Sequence, residues 1–377
     1  MDILSSAIGF VTGTLVPFLV VLTVVVFVHE MGHYLVGRWC GIKVLAFSIG
    51  FGPELVGFND SHGTRWKLSA IPLGGYVKFF GDENAASVPD NAEVAAMSEA
   101  DRARSFPGAS LWRRAATVAA GPFANFILAI AIFSVAFGLN GRMIADPVVA
   151  EVRAESAASA AGVMPGDRFL AIDGQPVETF DDVRRYVGVR PGVPIRITME
   201  RSGAPVDLTL TPVRTVITDR FGNKMEVGQI GVVTNNETAN FRVKTYGPVE
   251  AVGQGAKESW FIVTRTFGYI GNIITGREKA DQLGGPIRVA QVSGQMATLG
   301  IGALIQLAAV LSVSIGLLNL MPVPMLDGGH LLFYALEGIR GRPLGDATQE
   351  WAFRIGLTAV LALMVFVTWN DVSSLIG

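Results

Sequence analysis

Uncharged apolar stretches divide the chain, and their lengths predict how it is organised. Residues 3–28, 115–141 and 289–326 contain no Asp, Glu, Lys or Arg, and the shorter stretch 355–370 is bordered by Arg354 and by tryptophans. A membrane-spanning helix needs about 20 apolar residues. We therefore predict four spans, with the third limited to residue 301 to about residue 320, because the stretch before it is rich in glycine and polar residues.

Two segments between the spans have other patterns. Residues 44–51, 65–71 and 76–80 read as short strands joined by glycines, which predicts a β-loop lying against the membrane. Residues 260–274 carry apolar side chains at helical spacing interrupted by Arg265, which favours a helix in the membrane interface.

Residues 142–234 read as a small α+β domain. Strands are predicted at 168–172, 195–199 and 206–210, and a helix opened by a Thr179 cap at 179–187. The run A-G-V-x-P-G-D followed by I-D-G and V, at residues 161–177, resembles the bacterial PDZ domain. That resemblance implies binding of extended peptides by strand addition. It also implies a peptide-binding loop formed by Gly228, Ile230 and Gly231.

Composition agrees with a membrane protein. Half of the residues are hydrophobic and 16% are charged, whereas soluble domains carry about 25% charged residues. The net charge of −2 gives no basic surface for nucleic acid, so we expect no nucleic-acid partner. Cys40 is the single cysteine, which excludes an internal disulfide framework and a Cys-rich metal site.

The basic residues predict an orientation. Residues 1–36 and 355–377 contain no Lys or Arg, whereas residues 37–114 carry nine, and Arg340 and Arg342 lie between the last two spans. Short loops rich in Lys and Arg stay in the cytoplasm. We therefore predict that both termini and the PDZ-like domain lie on the outer side of the membrane.

The sequence His29-Glu30-Met31-Gly32-His33 ends the first apolar stretch. On a helix, residues four positions apart share a face, so both imidazoles can reach one metal ion while Glu30 serves as general base. Ionisable groups at the end of a membrane span are costly and usually functional. This H-E-x-x-H motif therefore predicts a catalytic zinc site.

A catalytic zinc commonly takes three protein ligands, so one more must come from elsewhere in the chain. The candidate is Asp327, in the sequence Leu326-Asp327-Gly328-Gly329-His330. The third span runs inward, which brings Asp327 to the same membrane depth as the two histidines. Gly328 and Gly329 are expected to form tight turns that aim the carboxylate. His330 remains an alternative ligand or an outer-shell partner.

Together, the H-E-x-x-H motif, the N-x-x-P-x-P-x-L-D-G-G motif and the intervening PDZ-like domain resemble the site-2 protease family of intramembrane zinc metalloproteases, in the branch of the bacterial regulator of sigma-E protease. The resemblance implies Zn²⁺ on His29, His33 and Asp327, with Glu30 as the acid and base. It also implies a bacterial inner (plasma) membrane, with the termini and the PDZ-like domain on the periplasmic side. Two further motifs match the family at 121–125 and 71–76. They imply substrate binding by Asn125 and by Gly74, Gly75 and Tyr76.

The expected fold is a polytopic α-helical membrane protein of four spans, with a membrane-associated β-loop and one PDZ-like domain. The expected function is cleavage of single-span membrane proteins within the lipid bilayer, such as an anti-sigma factor already trimmed on its outer side, or remnant signal peptides. A membrane-anchored PDZ scaffold and a zinc transporter are the alternatives. The predicted segments are a first span with H-E-x-x-H (1–37), a cytoplasmic loop with membrane-associated strands (38–114), a second span (115–141), the PDZ-like domain (142–234), a connector with an interfacial helix (235–300), a third span with the L-D-G-G motif (301–330), and a cytoplasmic loop with the fourth span (331–377).

Overall fold

The computed structural model describes residues 8–82, 96–234, 241–277, 280, 283–342 and 344–376. The chain divides into two compact units, one of residues 1–133, 255–263 and 283–377, the other of residues 134–254 and 264–282. The helices are α1 (Val16–Trp39), α2 (Glu99–Arg104), α3 (Leu111–Asn140), α4 (Ala157–Ala160), α5 (Phe180–Gly188), α6 (Pro248–Ile274), α7 (Pro286–Thr298), α8 (Ile301–Asn319), α9 (Asp327–Arg340) and α10 (Asp346–Ile376). The strands are β1 (Val44–Asn59), β2 (Arg65–Phe79), β3 (Arg142–Ile144), β4 (Glu151–Val152), β5 (Arg168–Ile172), β6 (Gln175–Pro176), β7 (Ile195–Arg201), β8 (Ala204–Leu210), β9 (Val213–Thr218), β10 (Lys224–Gln229), β11 (Val232–Val233) and β12 (Arg242–Lys244).

Four helices are long and apolar enough to cross a membrane, as the uncharged stretches predict. They are Ile8–Trp39, Leu111–Asn140, Ile301–Asn319 and Ala347–Ser374. The last helix begins well before the predicted start at residue 355. Its first turns carry Glu350 and Arg354, which pair one turn apart at 2.6 Å, so opposite charges extend the helix beyond its apolar part.

The β-loop consists of two long bent strands rather than the three short strands that the glycines suggested. Ser48 of β1 pairs with Lys67 on one side and with Tyr76 on the other. Each strand therefore folds back, and the sheet has four segments. Residues 46–49 run parallel to residues 65–68 and antiparallel to residues 75–79 of β2, which lie along one edge. The predicted strand segments are present, but the chain continues through the bends because glycines such as Gly50 and Gly74 take positive φ angles there.

In the first unit, apolar contacts bring together the elements that surround the two histidines. Val21 and Val25 of α1 pack against Ala308 of α8. At the other end of α1, Tyr34 belongs to a buried cluster with Phe47 of β1 and Val118 of α3. These contacts hold α1, α3 and the β-loop together around the H-E-x-x-H motif.

The second unit contains the sheet β6-β5-β7-β8, whose apolar side covers one face of α5. Strand β5 has the predicted bounds, and β7 and β8 are each two residues longer than predicted. Thr179 caps α5 through a capping box with Asp182, as the sequence indicated. Strand β11 pairs with β4, and β12 pairs with β3, so both ends of the unit meet in antiparallel ladders.

The connector differs from its prediction in length. Helix α6 begins at Pro248, with Gly247 as its N-cap, twelve residues before the predicted helix at 260–274. Further along, the Asp371 carboxylate of α10 accepts hydrogen bonds from the backbone N–H groups of Gly285 and Arg288, at 2.9 and 3.0 Å. The start of α7 is thereby attached to the end of α10.

Candidate metal centre

The paired histidines lie in the second half of α1, on a face that the rest of the first unit covers. His29 is 8% exposed and His33 is 9% exposed. Their rings meet edge to face with centroids 4.8 Å apart, because helix geometry places residues four apart on one face. The two Nε2 atoms are 3.2 Å apart.

Asp327 completes the cluster from the far end of the sequence. Its Oδ2 atom lies 3.1 Å from His29 Nε2 and 3.5 Å from His33 Nε2. One ligand atom from each of the three residues can be chosen so that all lie within 4.8 Å of one another. The structure therefore brings together the three residues that the sequence selected as ligands.

The two glycines after Asp327 act differently from the prediction. Gly328 and Gly329 lie in the first turn of α9 rather than in tight turns, and the positive φ angle of this segment belongs to Met325 instead. A Cβ atom on either glycine would overlap backbone carbonyls of the loop after α8, those of Leu320 or Val323 among them. The glycines are thus required for close packing, which places Asp327 at the start of α9.

This cluster fits a zinc ion. His33 Nδ1 lies 2.9 Å from the Thr117 carbonyl oxygen, which can only accept, so a neutral His33 directs the lone pair of Nε2 toward the cluster. Asp327 Oδ2 is buried, and no hydrogen-bond partner for it occurs among the described residues. Two imidazole nitrogens and a carboxylate oxygen are ligands typical of catalytic zinc. A divalent cation would stabilise these converging lone pairs.

Helix α3 covers one side of the histidine rings. Besides the Thr117 carbonyl, it contributes Gly121, where a Cβ atom would overlap the His33 ring. Asn125 is completely buried and its Nδ2 lies 3.3 Å from His29 Nδ1. The Ser312 hydroxyl of α8 donates to the Asn125 carbonyl at 2.8 Å. Sequence reasoning selected Asn125, but it missed Thr117 because a backbone carbonyl leaves no residue signature.

Strand β2 runs beside Glu30. The Glu30 carboxylate accepts a hydrogen bond from the backbone N–H of Val77. A Cβ atom on Gly75 would lie 2.8 Å from the Ser48 carbonyl oxygen and 3.0 Å from Glu30 Cγ, so only glycine fits there without displacement. Gly74 has a φ of 115° against the Phe51 ring. The Tyr76 hydroxyl accepts a hydrogen bond from Lys67 Nζ at 2.9 Å.

The remaining candidates lie elsewhere. The His330 ring contacts the Tyr334 and Phe353 rings, with centroid distances of 6.4 and 5.5 Å. In the second unit, Ile230 is 4% exposed in the apolar core and its carbonyl accepts from the Ala158 N–H. Gly231 has a φ of 81°. Peptide binding by Gly228, Ile230 and Gly231 therefore depends on their backbone groups and stays a prediction.

Comparison with known proteins identifies the class. The model of Peptidase family M50 matches residues 17–363, so the chain belongs to this family. It is a membrane-integral zinc metalloprotease of the site-2 type, which confirms the predicted family, enzyme class and Zn²⁺ cofactor.

The similarity to known relatives extends over all or nearly all of each chain. "Putative zinc metalloprotease Atu1380" of Agrobacterium fabrum is 68% identical over 377 residues, covering 100% of both chains. "Metalloprotease MmpA" of Caulobacter vibrioides is 39% identical over 381 residues, covering 95% of each. Among solved structures, the PDZ domain of the SdrC-like protein Lmo2051 from Listeria monocytogenes covers 24% of this chain and 87% of its own. Its identity of 16% and TM-score of 0.19 carry no conclusion about fold.

Proposed function

We propose that His29, His33 and Asp327 hold the catalytic zinc and that Glu30 transfers protons during cleavage of a peptide bond. The observation that carries this proposal is the convergence of His29 Nε2, His33 Nε2 and Asp327 Oδ2, with distances of 3.1–3.5 Å among them. Zinc supplies Lewis-acid chemistry when bound, polarising a scissile carbonyl and making a water more acidic.

Glu30 performs the proton transfers. Glu30 directly follows His29 in the sequence, and its carboxylate accepts a hydrogen bond from the Val77 N–H, which fixes it at the edge of the ligand cluster. There it accepts the proton of the attacking water and returns it to the leaving amine. The Val77 hydrogen bond orients the carboxylate for both steps.

The substrate adds as a strand to the open edge of the β-loop. Backbone groups alternate in direction along a strand, and the Val77 N–H points away from β1 toward Glu30. Gly75, two residues earlier, directs its N–H and carbonyl to the same side, whereas Tyr76 faces Ser48 of β1. A helical substrate extended along Gly75 would present its scissile bond beside Glu30. Of the predicted residues, Gly75 thus provides the backbone contact, and Gly74 and Tyr76 shape the strand.

The substrates are single-span membrane proteins, such as an anti-sigma factor trimmed on its outer side or a remnant signal peptide. In the inner membrane, the basic loops face the cytoplasm and both termini and the second unit face the periplasm. Cysteines at Ala100 and Ser202, both exposed, test this in a Cys40→Ser background. An impermeant reagent should label Ser202→Cys in intact cells and spare Ala100→Cys. Equal labelling would contradict the orientation.

The PDZ-like domain controls which substrates reach the site. Ile144 and Arg242 are partners in the β3–β12 ladder, so residues 145–241 can be replaced by an Asn-Gly hairpin turn. The shortened enzyme should keep zinc and cleave a trimmed substrate, and should also accept untrimmed ones. If it binds zinc but does not cleave trimmed substrate, the domain belongs to the catalytic machinery.

Glu30→Gln tests the catalytic assignment directly. The amide cannot accept a proton, so cleavage of a model single-span substrate in proteoliposomes should fall by about 10²–10⁴-fold. Zinc content should stay at the wild-type level. Wild-type turnover by the variant would refute the role of Glu30, and exchangeable zinc with no proteolysis in the wild type would favour a transporter. A protein that binds peptides without zinc would be a scaffold.

A further inference from the structure

Asn125 has an arrangement that a substrate contact alone does not explain. Its side chain is completely buried in α3, with Nδ2 only 3.3 Å from His29 Nδ1. Its Oδ1 is also buried, and no hydrogen-bond partner for it is present among the described residues. The amide therefore lies behind the His29 ring, on the side opposite to the ligand cluster.

The orientation of this amide decides which nitrogen of His29 is protonated. If Nδ2 donates to His29 Nδ1, a neutral ring must carry its proton on Nε2. That proton would point at Asp327 Oδ2 and prevent Nε2 from binding a cation. Side-chain amide oxygen and nitrogen have nearly the same shape, so their assignment follows from the hydrogen-bond network. Rotating the Asn125 amide by a half turn places Oδ1 beside Nδ1 and gives that oxygen a donor.

The other histidine shows the same arrangement. His33 Nδ1 faces the Thr117 carbonyl of α3 at 2.9 Å, which fixes its proton on Nδ1. Metal-binding histidines usually donate their second N–H to a carbonyl or carboxylate, and that bond sets the tautomer and the ring orientation. Helix α3 thus offers one acceptor for each histidine. The Ser312 hydroxyl donates to the backbone carbonyl of Asn125, not to its side-chain amide.

We propose that Asn125 is a positioning residue for zinc: its amide oxygen accepts the proton of His29 Nδ1 and thereby keeps Nε2 available as a ligand. The proposal rests on the ligand set given under Proposed function. It assigns Asn125 a role in metal affinity that is separate from any contact with substrate.

Zinc affinity of the purified full-length protein tests this proposal, measured by competition with a chromophoric chelator. Asn125→Leu removes the acceptor at similar volume and should weaken zinc binding by about 10–100-fold. Asn125→Asp keeps an acceptor oxygen in either orientation and should retain most of the affinity. Ser312→Ala is the matched control, since it disturbs the same helix contact without changing the acceptor, and should bind zinc like the wild type.

Three outcomes would overturn the proposal: wild-type affinity in Asn125→Leu, a loss in Asn125→Asp equal to that in Asn125→Leu, or an equal loss in Ser312→Ala. If Asn125→Leu does not fold, Asn125→Asp decides, because a tenfold loss there contradicts the proposal. His29→Ala distinguishes a failure of the Asn125 proposal from a failure of the ligand set. It should lose more affinity than Asn125→Leu, and wild-type affinity in His29→Ala would refute the ligand set itself.

Discussion

The two compact units differ in what fills their interiors. Among the buried polar side chains of the described residues, Asp167 alone lies in the second unit, where Arg201 pairs with it at 2.7 Å. The first unit buries polar groups on nearly every element near the ligand cluster. These include His29, His33, Ser48, Ser69, Thr117, Asn125 and Ser312.

This difference indicates which interactions determine the structure of each unit. A buried polar group is destabilising unless it is hydrogen-bonded, so each one in the first unit needs a partner at a defined place. Its geometry thus depends on contacts between distant parts of the chain. The second unit is held mainly by an apolar core, which tolerates local change better. Substitutions should therefore affect zinc in the first unit and stability in the second.

Removing the remote ligand should give the largest effect. In Asp327→Asn, a neutral amide oxygen replaces the carboxylate, so zinc affinity should fall by more than the roughly 10–100-fold that loss of an outer-shell partner costs. His330→Ala, one turn along α9, should bind zinc much more tightly than Asp327→Asn. Metal analysis showing full zinc in Asp327→Asn and loss in His330→Ala would reverse the assignment.

Adding one methyl group should have different effects on zinc affinity at two glycines of α3. Gly121→Ala places a Cβ atom in the His33 ring, so this variant should lose zinc affinity and activity. Gly138→Ala, also on α3, meets nothing closer than Ala251 Cβ at 3.7 Å and should keep both. Competition with a zinc chelator measures the pair. Equal affinities would show that the His33 position is less constrained than its contacts indicate.

The second unit should respond in stability alone. Ile197 is completely buried in β7, so Ile197→Ala should lower the free energy of opening of the β5–β7 sheet by about 2–5 kcal/mol. Leu170→Ala, on the neighbouring strand and 38% exposed, should cost much less. Hydrogen exchange of the strands gives these energies. A loss of zinc in Ile197→Ala would contradict the separation between the units.

Acid should reveal the contribution of the buried Asp167 charge to the stability of the second unit, and this is the smallest expected effect. Burial raises the pKa of Asp167, but hydrogen bonds from Arg201 and the Met164 N–H outweigh it and hold the pKa below its ordinary value of 3.8. The folded carboxylate therefore stabilises the unit above that pH, and this contribution is lost as pH falls through the lowered pKa. Hydrogen exchange at pH 5 and pH 3 should show a smaller decrease in stability for Asp167→Asn than for the wild type.

Local signals predicted the second unit well, and the site only in part. The Thr179 cap and strand β5 follow from neighbouring residues, and both are confirmed. The approach of Asp327 to the histidines could be predicted by counting spans. A catalytic zinc needs a third protein ligand, and the span count brings Asp327 to the membrane depth of the histidines. The bends of the β-loop, the packing of Gly328 and the Thr117 carbonyl could not be predicted. Each depends on the backbone of a distant segment, which the local pattern does not record.

X-ray absorption at the zinc edge of the purified full-length protein tests the central claim most directly. The account predicts one zinc per chain with only nitrogen and oxygen neighbours at about 2.0–2.2 Å. The outer-shell signal of two imidazoles should be present, and one of the two should be lost in His33→Ala. Sulfur at about 2.3 Å would contradict the account, since it would place Cys40, the single cysteine, on the metal. An unchanged spectrum in His33→Ala would contradict it equally.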